Sequence, residues 1–364
     1  MASLRFDLAI LLTAATFGYI AQAPAVSAAT IGVVAPRTGP YALLGTQVFE
    51  GARAAAEVTG DRLVEIDETC NEAGGTDAAK ALADAKVSIA IGFLCVETLS
   101  SAMPALASSK IPAITVSVRS RILMEDALRN GWPLFRMAPS ETAEAEKIAA
   151  VIVDRWKAEP VAFIDDGTIY GRELVSAVRQ KLEPLGITPV FTDTLRPGQE
   201  QQIALIRRLQ KAGATHVLIG ADRNDVSIIA RDAASENIPL TVMGGDVMKA
   251  SNRPVPLRDG SLAVTLPPYQ TLQTATDVAT SLKSRQIEPE GNVLPAYAAM
   301  QLASQAAASS GNDTAKLISS LTARSFQTVI GDIRFDQGHE LAENPYRLLE
   351  WRANAFVPAP SATE

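Results

Sequence analysis

Histidine and cysteine are nearly missing: two of each occur among 364 residues, leaving little material for a His/Cys zinc site. Aromatic residues make up 5% of the chain. Alanine, valine, isoleucine and leucine carry the apolar share instead, a mix that suits layered α/β packing better than a β-sandwich. No run of lysine and arginine stands out, and 33 basic against 40 acidic residues leave a net charge of −7. That balance argues against a nucleic-acid partner. Past the N-terminus no segment approaches the roughly 20 apolar residues that span a bilayer. G-x-G-x-x-G, Walker A, G-x-S-x-G and S-x-x-K motifs are all lacking, so neither a cofactor nor a metal is expected. A Ser-His-Asp triad would need one of the two histidines. His216 lies in an apolar strand candidate and is expected in the core; His339 follows a turn glycine and is expected to be solvated. The pair Asp165-Asp166 sits at a strand end, where chains turn polar without any catalytic purpose. No enzyme is expected.

What is present begins with an export signal. Arg5 precedes the apolar run 8–20, and 21–29 is rich in small residues around a helix-breaking Pro24, the order of a secretory leader, although Asp7 offsets Arg5. Val26-Ser27-Ala28 fits the cleavage rule and makes 1–28 a signal peptide, with a cut after Ala29 as the alternative. A short membrane anchor is the other reading, for which the run is too short. No cysteine lies near the cut, so no lipid anchor is expected. In an oxidising compartment the even pair Cys70 and Cys95 suggests one disulfide, with two buried thiols as the alternative.

The length suits two domains at roughly 150 residues each. Strand candidates fall at 31–35, 63–66, 88–91, 113–116, 161–164, 189–192, 216–219 and 241–243. Helical runs fall between them at 47–58, 76–85, 141–156, 171–185, 203–212 and 225–236. Continuous apolar strands joined by helices read as βαβ units around parallel sheets. Glu141, Glu144 and Glu146, just after Pro139-Ser140, favour a helix start. After Gly260 the pattern loosens into a long Ala-rich helix at 294–310, a segment 328–335 leading into the turn Asp336-Gln337-Gly338, and a late strand near 346–351.

The mature N-terminus reads IGVVAPRTGPYALLGTQVFEGARAAA: a strand, Thr38-Gly39-Pro40, Leu44-Gly45 and a helix led by Gly51. With Cys70 after the second strand, Cys95 after IGFL, Asp165-Asp166 before Tyr170-Gly171 and the ending TVIGDIRFDQGHELAENPYRLLEWRANAFVP, it resembles the periplasmic leucine/isoleucine/valine-binding proteins of ABC transporters. The resemblance covers 29–364. It implies a type I periplasmic binding fold: two doubly wound parallel-sheet lobes joined by three crossing strands. The expected lobes are 29–138 with 267–330 and 139–266 with 331–364, with crossings near Ala138, Pro267 and Ile330. It further implies a disulfide between Cys70 and Cys95, and a ligand trapped where open parallel sheets bind, at strand C-terminal ends.

Mapped onto the family's pocket, several positions differ. Val96 stands where family members carry a hydroxyl residue that holds the ligand carboxylate. Val118-Arg119 stands where they carry a second hydroxyl, and Arg119 suits bidentate carboxylate binding or is a solvated loop cation. Tyr170 is kept. Asp222-Arg223 stands where they carry an aromatic, and Asp246 matches, one methylene shorter, the acid that pairs with the ligand ammonium. A lobe–lobe contact is the alternative for Tyr170 and Asp246. The expectation is a monomeric periplasmic protein that captures a small molecule, an amino acid or related carboxylate or amide, for the membrane permease of an ABC importer. A ligand sensor of the same fold and a secreted hydrolase are the competing readings.

Overall fold

A computed structural model describes residues 28–251, 254–311 and 313–360; the leader expected at 1–28 lies outside these residues except for Ala28. The first lobe opens with β1 (Thr30–Ala35), α1 (Ala42–Thr59), β2 (Arg62–Asp67), α2 (Glu72–Asp84) and β3 (Ile89–Gly92). It continues with α3 (Val96–Ser108), β4 (Ala113–Thr115), α4 (Arg121–Asn130) and β5 (Leu134–Arg136). The second lobe follows as α5 (Ala143–Arg155), β6 (Val161–Asp165), α6 (Ile169–Leu182), β7 (Phe191–Thr194), α7 (Ile203–Lys211), β8 (His216–Gly220), α8 (Arg223–Ser235), β9 (Thr241–Gly244) and β10 (Leu262–Thr265). The chain then returns to the first lobe for α9 (Thr276–Ser284), α10 (Val293–Ser310), α11 (Thr314–Ala323) and a hairpin of β11 (Phe326–Thr328) and β12 (Gly331–Ile333). It ends in the second lobe with β13 (Arg347–Arg352) and β14 (Ala355–Pro358).

The first sheet runs β2-β1-β3-β4-β5 and is parallel throughout. The second runs β7-β6-β8-β9-β10-β13-β14, parallel except for the last two strands. In each, the strand order reverses beside the first strand, between β1 and β3 and between β6 and β8, which leaves a crevice at the strand C-terminal ends. Fully buried strands such as Ile89–Gly92 explain their near-continuous apolar sequence, because helices cover both faces. In the first lobe α1 and α10 seal one face around Ile31, Ile89 and Leu294, while α2 and α3 seal the other around Leu82 and Leu99. Gly51 lets α1 and α10 touch: a Cβ there would sit 2.0 Å from the Val293 carbonyl oxygen.

The packing locates the three connections between the lobes. Met137 belongs to the first lobe's core and Ala143 to the second's; Val264 belongs to the second and Ala275 to the first. The third passage was expected near Ile330. It falls later, because Val329, Ile333 and Phe335 pack in the first lobe with Phe135, and the first residue buried in the second lobe's core is Tyr346. His339 also departs from expectation. Its ring stacks on Phe135 with centroids 4.2 Å apart, its Nδ1 lies 3.0 Å from the Leu134 carbonyl oxygen, and burial pushes its pKa down. His216 is half-buried against Trp156, with ring centroids 4.8 Å apart.

Candidate functional site

The loops that follow β4, β8 and β9 meet where the two lobes face each other; of the expected pocket positions Arg119 lines the space between them, and Val96, Val118, Tyr170, Asp222 and Asp246 do not. A cavity of about 1010 Å³ opens there, lined by Ser117 and Arg119 of the first lobe, Arg223, Lys249 and Trp351 of the second, and Pro267 to Thr271 of the second connection. Its size suits a small ligand.

Arg119 is exposed in this cleft yet contacts both lobes. Its Nη1 donates to the Tyr346 hydroxyl at 3.2 Å, and Tyr346 is fully buried in the second lobe. Its backbone carbonyl accepts from Arg136 Nη1 at 2.5 Å, so the loop is held from below. Val118 turns the other way, into the core with Leu123 and Met124, as alternation along an extended loop requires. Thr115 Oγ1 accepts from the Val118 N–H at 3.0 Å and fixes that turn. Val96 is the exposed first residue of α3.

On the second lobe the centre is a residue read from sequence only as a helix-start acid. Glu144 is buried, and its Oε1 accepts from the Tyr170 hydroxyl at 2.8 Å and from the Asp246 N–H at 2.6 Å. Burial pushes the Glu144 carboxyl up from its ordinary value, and it pushes the Tyr170 phenol up as well, helped by the Glu144 charge. Gly245 makes this approach feasible: a Cβ there would lie 2.2 Å from Glu144 Oε1 and 2.3 Å from the Tyr170 hydroxyl. Asp246 Oδ1 accepts from the Leu266 N–H at 3.0 Å and pairs with Lys249 Nζ at 3.1 Å. Tyr170 and Asp246 therefore do come together, on the same buried carboxyl.

Asp222 stands apart from them. It caps α8, accepting from the Asp225 N–H at 2.9 Å, and its side chain serves the helix start. Its neighbour Arg223 is buried, donates Nη1 to the Met248 carbonyl at 2.7 Å and stacks on Trp351 with its guanidinium 4.4 Å from the ring centroid. Asp165 and Asp166 tie down the turn before α6 by accepting from Gly167 and Thr168 N–H groups at 2.8 and 2.9 Å. Cys70 and Cys95 form a disulfide that joins the loop after β2 to the start of α3.

Two doubly wound lobes with three connections and a cleft at their facing strand ends define a two-lobed solute-binding fold. The sequence pattern of the family described as periplasmic binding protein matches residues 28–355, and the chain belongs to that family. The Leu/Ile/Val-binding protein homolog 3 of Brucella melitensis is 26% identical over 359 residues, 94% of this chain and 96% of the relative. Among solved structures, an ABC transporter substrate-binding protein from Desulfitobacterium hafniense in complex with Leu superposes with a TM-score of 0.63 at 21% identity, over 90% of this chain and 99% of that one. A solute-binding protein of an ABC transporter from R. palustris in complex with 4-hydroxybenzoate gives 0.61 at 15% identity, over 91% and 95%. At these identities the structures speak for the fold.

Proposed function

We propose that the protein is a periplasmic solute receptor that closes on a small carboxylate and hands it to the membrane permease of an ABC importer, with no covalent chemistry of its own. The observation that carries this reading is Arg119, which stands in the cleft between the lobes and donates to Tyr346 of the opposite one. A guanidinium is matched to a carboxylate in shape and charge, and a cleft between lobes desolvates what it holds. Leucine in the D. hafniense complex and 4-hydroxybenzoate in the R. palustris complex share a carboxylate and little else, which supports that group as the common handle. Export by the leader at 1–28 and a monomeric state belong to the same proposal. Mass spectrometry of small molecules released by denaturing the purified protein tests it. A carboxylic acid in roughly equal amount to protein is expected; a retained ligand without a carboxylate contradicts it.

A further inference from the structure

Away from the cleft cavity, three groups of matched chemistry meet between the end of β2 and the start of α3. A carboxylate oxygen of Glu68 and the sulfurs of Cys70 and Cys95 all lie within 4.8 Å of one another. Glu68 is held there by the Leu94 and Cys95 N–H groups, which donate to its two carboxyl oxygens at 2.8 and 2.9 Å. Glu68 and Cys95 are buried, while Cys70 is half-buried. A thiol arriving from solvent therefore meets Cys70, and Cys95 is the sulfur that leaves into the interior. Disulfides exchange through thiolates, and a poorly solvated thiolate needs a cation or a proton. Among the described residues, the charged groups that bear on Glu68 are Asp67 of β2 and Glu97 in the first turn of α3. Both are acids, so neither stabilises a departing thiolate. Burial pushes the Glu68 carboxyl up to about 7, and near neutrality it is populated both with and without its proton.

We propose that Glu68 carries the proton when the Cys70–Cys95 bond is broken and made, as internal acid for opening and internal base for closure. In opening, one thiolate of an external dithiol attacks Cys70 Sγ and forms a mixed disulfide. The Cys70–Cys95 bond breaks, its electron pair goes to Cys95 Sγ, and that sulfur takes the Glu68 proton. The second thiolate of the reagent then attacks the reagent's own sulfur in the mixed disulfide. The reagent leaves oxidised, as a cyclic disulfide, and Cys70 is released as a thiolate that water protonates. In closure a disulfide oxidant first captures Cys70. Ionised Glu68 then takes the Cys95 proton, and the Cys95 thiolate displaces the oxidant's thiolate from Cys70 Sγ.

The test is reduction of the folded protein by dithiothreitol, followed by thiol labelling from about pH 5.5 to about pH 8.5, either side of the Glu68 value. Dividing the rate for the unmodified protein by that for Glu68→Gln cancels the titration of the reductant. The ratio should fall as the pH rises, by about 100-fold in all, the low end for a positioned proton donor. It should drop below one at the alkaline end, where the Glu68 charge opposes the departing thiolate. A purely structural role moves the ratio the other way. Protonated Glu68 stabilises the fold at low pH and loses that effect as the pH passes about 7, so opening by unfolding makes the ratio climb. Thermal melting checks that Glu68→Gln is folded. If it is not, the unmodified protein decides alone: its rate per unit of reductant thiolate should fall as the pH passes about 7. A ratio or corrected rate that climbs, or stays level within about threefold, overturns the inference.

Discussion

Arg136 and Glu340 lie 204 positions apart in sequence and meet beside the third connection, where Arg136 Nε donates to Glu340 Oε2 at 2.7 Å and Nη2 donates to Oε1. The Arg136 side chain is 1% exposed, and its Nη1 also donates to the carbonyls of Arg119 and Ser120, at 2.5 and 3.0 Å. One guanidinium thus ties the last strand of the first sheet to the return segment and to the loop that presents Arg119. Removing one partner strands the other in a poorly solvated place. Arg136→Ala should cost about 3–5 kcal/mol in chemical denaturation. A loss below about 1 kcal/mol, the range of exposed pairs, would contradict the role assigned to it.

The Cys70–Cys95 disulfide spans a sequence separation of 25. Chain-entropy arguments give such a loop roughly 3–4 kcal/mol of stabilisation. Denaturation with and without reductant should show a loss of that order, and the Cys70→Ser, Cys95→Ser double variant should match the reduced protein. Equal midpoints in both states would show that the bridge adds nothing to stability.

Glu68 is 2% exposed at the end of β2 and accepts from the Leu94 and Cys95 N–H groups at 2.8 and 2.9 Å. Burial pushes its carboxyl up to about 7, against 4.5 for an ordinary glutamate. The folded state therefore keeps a proton that the unfolded chain loses first. The stability this contributes is fully present below pH 4.5 and is lost as the pH rises through about 7. The whole effect amounts to roughly 3 kcal/mol, at about 1.4 kcal/mol per unit. Glu68→Gln cannot ionise, so its stability relative to the unmodified protein should rise across that window. Urea titrations at either end check the sign; a pH-independent difference speaks against it.

Two lobes joined by three connections are expected to close as rigid bodies about the cleft when ligand binds. Small-angle scattering should record a modest fall in the radius of gyration when the retained acid is added back to stripped protein. An unchanged profile at saturation would mean that the lobes do not close.

Much of the fold can be read from the chain because covered parallel strands must be apolar, as at Ile31 to Ala35 and Val161 to Ile164. Some elements escape reading because that rule weakens there, although the buried apolar β10 (Leu262–Thr265) escapes without that reason. β5 is three residues long and ends in the buried Arg136, while α3 carries Pro104 and a run of Ser and Thr. Tyr170 and Asp246 can be singled out in the chain because the family resemblance maps pocket positions onto them. Glu144, Lys249 and Tyr346 cannot, because what makes them matter is partnership. Glu144 meets Asp246 across 102 positions and Arg119 meets Tyr346 across 227, and no local pattern encodes such pairs. The same holds for Val118, whose burial depends on how the loop turns at Thr115.

The central claim is that Arg119 holds the ligand's carboxylate between the lobes, and calorimetric titration of Arg119→Ala with the acid retained by the unmodified protein tests it most directly. Loss of a desolvated charged contact should cost about 2–5 kcal/mol, roughly 30-fold to several-thousand-fold in affinity. Binding within about threefold of the unmodified protein, well under 1 kcal/mol, would place the carboxylate elsewhere and contradict the account.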